Sequence, residues 1–412
     1  MGRREGRSCK GIVVRALLSF AALLLPQMVH AECPPPKNPP TGDQFYYCFD
    51  ATKIIPQPII DPARGPYVVV EVELNGHKLP ALLDTGAGIS VVDSSVANEI
   101  GLKASGSNQL TAIDGRKTQA PEAPIDQLVI GGFARKGGAV VITDLRSMSQ
   151  IARQPFAMIV GADVLSQVAL AVNRDNQTVI VMPSNAHVSD TSQVGPLRLQ
   201  QPDNMFMTEM SIGGRARTVR LDTGADDELI LLDKRWTDIV PSNARTTTMV
   251  GVGTAGMFIK PLVRLANVKI GGQPINDSLA TQTSSAVSTG GSDGVVGMGI
   301  LSLFNLFLNP QTGVLVLTQP QKLGPPRRET MVGILGPPTD EGINVIHVMA
   351  HSPAEAAGLK AGDRICTVDG EKVRAAWEGT PKNDWMTGPA GKTVVLGRCG
   401  GGDVRVTLQP FY

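Results

Sequence analysis

Two Asp-Thr-Gly triplets stand out, Asp84-Thr85-Gly86 and Asp222-Thr223-Gly224, each followed by alanine. One triplet alone is a weak signal, because turns use the same residues. Two aspartates brought to one place have a defined chemistry. Carboxylates within reach of one water cannot both ionise, so the pair shares a proton. The ionised member takes a proton from the water while the protonated member polarises a carbonyl. That pairing hydrolyses a peptide bond without a covalent intermediate. The candidate catalytic pair is Asp84 and Asp222. Thr85 and Thr223 are placed to hydrogen-bond across the pair, and Gly86 and Gly224 let the backbone turn without a Cβ penalty.

The elements around the triplets recur in step. Apolar residues 68–74 and 79–83 flank Asn75-Gly76, which reads as strand, tight turn, strand. Residues 205–212 and 219–221 flank Gly213-Gly214 in the same way. Turns and triplets share one offset, 138 residues. Asp114-Gly115, 30 residues beyond Asp84, marks the turn of a flap hairpin, and Gly251-Val252-Gly253 holds the matching place in the second half. Ile159-Val160-Gly161 lies 77 residues after Asp84, and Val295-Val296-Gly297 lies 75 after Asp222. Val172-Asn173 and Leu308-Asn309 complete the series. Such order implies an internal duplication of a β-rich unit of roughly 120 residues. High glycine (45) and proline (30) with few aromatics also favour turn-rich β structure.

These motifs resemble the retropepsin-like aspartic peptidases. Leu221-Asp222-Thr223-Gly224-Ala225-Asp226-Asp227 is very similar to the viral protease motif, and Ile159-Val160-Gly161-Ala162-Asp163 to the element that buttresses the active-site loop. The resemblance covers residues 67–320 and implies an aspartic endopeptidase acting on proteins or peptides, with no cofactor and no metal. The expected fold class is mainly β, with two lobes, 67–190 and 197–320, related by a pseudo-twofold axis. A two-lobed monomer is the economical form, and a homodimer pairing like halves is the alternative. The halves differ. Gly88 stands where the second triplet has Asp226, and Gly299 stands where the first repeat has Asp163. Each half thus lacks one acid of the family's supporting pair. Neither flap has the tyrosine of pepsin-like enzymes. Ala87 and Ala225 replace a hydroxyl that donates to the dyad there, so the dyad pKa should be higher and activity should reach toward neutral pH.

Residues 329–412 resemble a bacterial-type PDZ domain, an α+β unit. The match is carried by Ser352-Pro353-Ala354-Glu355-Ala356-Ala357-Gly358-Leu359-Lys360-Ala361-Gly362-Asp363 and Val368-Asp369-Gly370. The resemblance implies a carboxylate-binding loop at Gly333, Ile334, Leu335 and Gly336, where a peptide C-terminus is captured as its chain adds a strand. Residues 345–349 read as a core strand, 394–406 as a closing pair and 382–386 as the groove helix.

Residues 1–31 read as a secretory signal: a basic n-region, an apolar run over residues 16–25 and Val29-His30-Ala31 as cleavage site. That run is too short to span a bilayer, so no anchor is expected after cleavage. Five bases and one acid leave with it, taking the formal charge from +1 to −3, and no basic face suggests nucleic acid. Export to the periplasm or beyond suits the four remaining cysteines, expected to pair as Cys33–Cys48 and Cys366–Cys399. The Pro-rich start of residues 32–66 reads as a tether.

Other signals carry less. Gly290-Gly291-Ser292-Asp293-Gly294 fits Gly-x-Ser-x-Gly, but a strand follows it where a nucleophile elbow needs a helix. His347 and His351 have no acid partner at metal spacing. The rival function is a catalytically inactive peptide-binding or scaffold protein of the cell envelope.

Overall fold

A computed structural model describes residues 45–111, 117–188, 194–201, 204–253, 256–283, 291–322, 329–378 and 380–412. The expected signal peptide and Cys33, with the pairing proposed for it, lie outside these residues, as do Asp114 and Gly115. Among the described residues no helix is long and apolar enough to cross a membrane.

The protein is mainly β. In the hairpin Val69–Leu74 and His77–Leu83, Val70, Val72 and Leu74 point into the core while Glu71 faces solvent, the alternation a half-buried strand requires. Its turn places Asn75 and Gly76 at φ 49° and 86°, the left-handed pair that a two-residue hairpin needs. Met158–Val160 then runs parallel to the second strand, with Leu83 opposite Val160, and Val91–Asp93 runs antiparallel to Met158–Val160. The same connectivity occurs in the second lobe. The hairpin Met205–Ile212 and Arg215–Leu221 turns on Gly213 and Gly214, both at positive φ. Gly294–Val296 runs parallel to it with Leu221 opposite Val296, and Leu229–Leu232 runs antiparallel to that.

A shared sheet joins the lobes. Val168–Asn173 pairs antiparallel with Asn305–Asn309, Leu170 facing Leu308. Val194–Gln200 crosses from Val314–Thr318 to Met205–Ile212, so residues 194–196, between the two expected lobes, already belong to a strand. One apolar core runs through both lobes.

The Pro-rich run itself, residues 33–40, lies outside the described residues, but the rest of the segment joins the sheets. Phe45–Phe49 pairs with Phe133–Gly137 on the edge of the first lobe's sheet, and Gln57–Pro58 pairs with Thr178–Pro183 in the shared sheet. Tyr47 and Phe49 pack on Phe133, which anchors the first of these strands on the sheet edge. Gln154 clamps the following turn: its Oε1 accepts from Tyr67 N at 3.0 Å, and its Nε2 donates to Ile60 O at 3.0 Å.

The C-terminal unit has its own core around Val332, Ile343, Ile365, Trp377, Val394 and Leu396. The closing pair is Thr393–Arg398 with Asp403–Thr407. Helix Pro353–Ala356 starts at Ser352, whose hydroxyl accepts from Glu355 N. The single core strand expected at 345–349 is divided: Gly342–Asn344 pairs with Arg364–Val368, and His347–Val348 pairs with Ile334–Leu335. The expected groove helix is the 3-10 segment Pro381–Thr387. Cys366 and Cys399 form a disulfide across neighbouring strands. Closing a loop of 33 residues contributes about 3 to 4 kcal/mol in the chain-entropy account.

Candidate active site

Both aspartates sit where a strand ends beside its parallel neighbour. Asp84 N donates to Val160 O and Asp222 N to Val296 O, each at 3.0 Å. Asp84 Oδ1 accepts from Gly86 N at 2.7 Å and Ala87 N at 3.2 Å, and Asp222 Oδ1 from Gly224 N at 2.9 Å. The threonines form a reciprocal brace. Thr85 N donates to Thr223 Oγ1 at 3.0 Å, and Thr223 N to Thr85 Oγ1 at 3.1 Å. Thr85 Oγ1 donates to Leu221 O at 2.7 Å, and Thr223 Oγ1 to Leu83 O at 2.6 Å. The four bonds of the threonine brace are buried, so each donor orphaned there would carry its desolvation cost.

The glycines are needed for a reason other than the expected one. Neither Gly86 nor Gly224 is among the residues at positive φ. A Cβ on Gly86 would stand 2.3 Å from the carboxyl of Asp222, and one on Gly224 2.3 Å from the carboxyl of Asp84. Each glycine makes room for the other lobe's carboxylate. The triplets therefore meet within one chain. Gly161 and Gly297 are close-approach positions too, since a Cβ there would lie 2.8 Å from the carbonyl oxygens of Ala87 and Ala225 respectively.

Burial, and then the negative charge of Asp222, raise the pKa of Asp84 well above the carboxylate range, to about 7; the Gly86 N–H and the charge of Arg220 pull it down. The direction agrees with that argued from Ala87 and Ala225, but burial leads, and Ala87 supplies its own backbone donor.

The asymmetry between halves is resolved by two cations from distant strands. In the first lobe, Asp163 accepts from Arg135 Nη1 at 2.5 Å and from Ser90 Oγ at 2.8 Å. Ser90 Oγ also accepts from Gly161 N at 3.1 Å, so this group ties helix to loop. In the second lobe, the acid on the active-site loop takes the part. Asp227 accepts from Lys260 Nζ at 2.8 and 2.9 Å and from Thr281 Oγ1 at 3.1 Å. Gly299 has no room for an acid, because its Cβ would fall 2.6 Å from Glu228 Cγ and 2.8 Å from Glu228 N. Burial raises the pKa of Asp163 against the charge of Arg135. Burial and the charge of Asp227 raise that of Asp226 against Lys260.

Sequence reasoning missed Arg135 and Lys260, whose partners lie 28 and 33 residues away. It also missed Tyr67. This tyrosine is buried, and its pKa is raised by burial and then by the charges of Asp226, Asp227, Asp222 and Asp84. Its hydroxyl thus stands in the field of acids from both lobes, although no flap carries it.

The residues expected at the second flap, Gly251 and Gly253, lie on the hairpin Thr246–Gly253 and Gly256–Leu265. Gly251 faces Phe258 and Gly253 pairs with Gly256 at the hairpin's end. Met257 and Ile259 are exposed on it, an apolar surface unusual for a solvated hairpin. Ser292 is fully buried and Gly294–Val296 follows as a strand, so the Gly-x-Ser-x-Gly match is a structural turn. In the C-terminal unit Gly333 has φ 83°, and Thr330 Oγ1 accepts from Val332 N at 3.2 Å and Gly333 N at 2.9 Å. The first donor of the expected carboxylate loop, Gly333 N, is therefore already paired, as is Val332 N just before it. Gly336 packs tightly on the backbone of Asn344.

A family model for aspartyl proteases matches residues 70–164, and one for the PDZ domain matches residues 322–383. The chain carries a retropepsin-like aspartyl protease domain and a PDZ domain. No curated protein matches it.

Proposed function

We propose that the chain is an aspartic endopeptidase whose water-activating dyad is Asp84 and Asp222, one from each of two lobes descended from a duplicated unit. The reciprocal Thr85–Thr223 brace, with each carboxyl lodged against the other lobe's glycine, is the observation that carries this reading. Fixed geometry lets the dyad hold one proton between two oxygens. The ionised carboxylate takes a proton from water as the water attacks the scissile carbonyl. The protonated carboxyl donates to the carbonyl oxygen, and the dyad then returns a proton to the leaving amine. The flap Thr246–Gly253 and Gly256–Leu265 would cover the substrate backbone with its exposed apolar residues.

The PDZ domain, residues 329–412, is read as the part that captures or positions protein substrates. An oxidising compartment outside the cytoplasm fits the Cys366–Cys399 disulfide and the signal-like residues 1–31. Asp84→Asn and Asp222→Asn should each abolish cleavage of a denatured protein and leave the fold intact. A wild-type chain that neither cleaves from pH 3 to 8 nor binds a statine-type inhibitor would be the scaffold protein instead.

A further inference from the structure

The PDZ domain docks on the base of the second flap. Thr247 Oγ1 donates to Ala350 O at 2.6 Å. Thr248 Oγ1 accepts from Ala350 N at 3.0 Å and lies 3.0 Å from His347 Nε2. Leu262 of the flap packs with Met349 and Phe411, and Arg264 pairs with Glu329. His347 begins the strand His347–Val348, whose partner is Ile334–Leu335. The far edge of Ile334–Leu335 has no partner strand among the described residues. Leu335 and Ile346 are exposed beside it.

The contacts form a continuous path. Thr248 lies one residue from Met249, which faces Lys260 across the flap hairpin. Lys260 holds Asp227, five residues after Asp222. We propose that a peptide strand added at the free edge of Ile334–Leu335 tightens the second flap, through His347–Val348 and the two threonines, and with it the active-site loop of the second lobe. The PDZ domain would then be an effector of the cleft as well as a tether for substrate. This rests on the reading of the domain as peptide-binding. Adding a third strand makes Ile334–Leu335 the middle one and fixes it, and Ile334–Leu335 in turn holds His347–Val348, the strand whose His347 meets the flap. Coupling of this kind is reciprocal, so an inhibitor at the dyad must change peptide affinity by the factor that the peptide changes inhibitor affinity.

The test is hydrogen exchange of flap residues 246–265 in the full chain, which needs no catalysis. The probe is the tightest binder from a library of hexapeptides with free C-termini, at saturation. The expected result is slower exchange by a factor of about five or more, the lower range of allosteric coupling. Thr247→Val/Thr248→Val should bind the probe and lose the effect, while Thr247→Ser/Thr248→Ser should keep it. No binder in the library would overturn both the peptide-binding reading and the coupling. Binding with unchanged or faster flap exchange would overturn the coupling alone. So would an effect that survives in the valine variant. Loss of cleavage with intact coupling would instead count against the dyad.

Discussion

Asp84→Asn has a predictable effect on stability as well as on catalysis, and its sign depends on pH. The folded pKa of Asp84 is about 7 against an ordinary 3.8, chiefly through burial. Between those values the folded chain keeps a proton that the unfolded chain releases. Stability from this group is therefore undiminished below pH 3.8 and falls as pH rises to about 7, where the full cost of a buried charge is reached. At 1.36 kcal/mol per pH unit the span from 3.8 to about 7 gives a ceiling of about 4 kcal/mol. Asparagine does not titrate, and its carbonyl oxygen still accepts from Gly86 and Ala87. The variant's melting temperature relative to wild type should thus climb between pH 4 and 8. At about 2 °C per kcal/mol for a unit of this size, the relative gain approaches about 8 °C. Thermal unfolding at fixed ionic strength across that range measures it. Parallel curves would refute the argument, and a relative gain toward low pH would mean that the fold stabilises the charged form. The same proton sets the rate: kcat/KM should fall on the alkaline side near neutrality, and a maximum near pH 2 would contradict it.

Two further substitutions probe the brace and the asymmetry. Thr85→Val removes the acceptor of Thr223 N and should cost about 1 to 3 kcal/mol by orphaning a buried donor, with Thr85→Ser restoring most of it in urea melts. Gly299→Asp supplies the acid that the second half lacks, yet should destabilise by about 1 to 3 kcal/mol because Glu228 already fills the space; an unchanged urea midpoint would refute this.

That the two triplets belong together was legible because the motif is local and its offset is repeated. The role of its glycines was not, because a glycine kept for φ and a glycine kept for a neighbour's carboxylate look alike in sequence. Only the approach of Gly86 to Asp222 tells them apart. The strand Phe45–Phe49 was hidden by the Pro-rich run before it and by its place on an edge, where tertiary packing on Phe133 decides the structure. The contact of His347 with Thr248 was not legible, because an interdomain hydrogen bond leaves no local pattern. Gly88 and Gly299 did announce that the halves are braced differently, but not by what. A cation from a distant strand can satisfy a buried carboxylate from many chain positions.

The two braces predict different consequences for one kind of substitution. Arg135→Met and Lys260→Met each leave a buried carboxylate without its cation, Asp163 in one case and Asp227 in the other. Each should cost about 3 to 5 kcal/mol, much of it recovered when the acid is also replaced by its amide. Their effects on turnover should diverge. Arg135 belongs to Phe133–Gly137, which faces the N-terminal strand Phe45–Phe49, away from the described flap. Lys260 belongs to the flap itself and grips the loop of Asp222. At a temperature where both variants are folded, Lys260→Met should raise KM and lower kcat together, as loss of a hinge contact does. Arg135→Met should leave KM near the wild-type value. Equal kinetic penalties in the two variants would show that neither cation reaches the substrate through the flap.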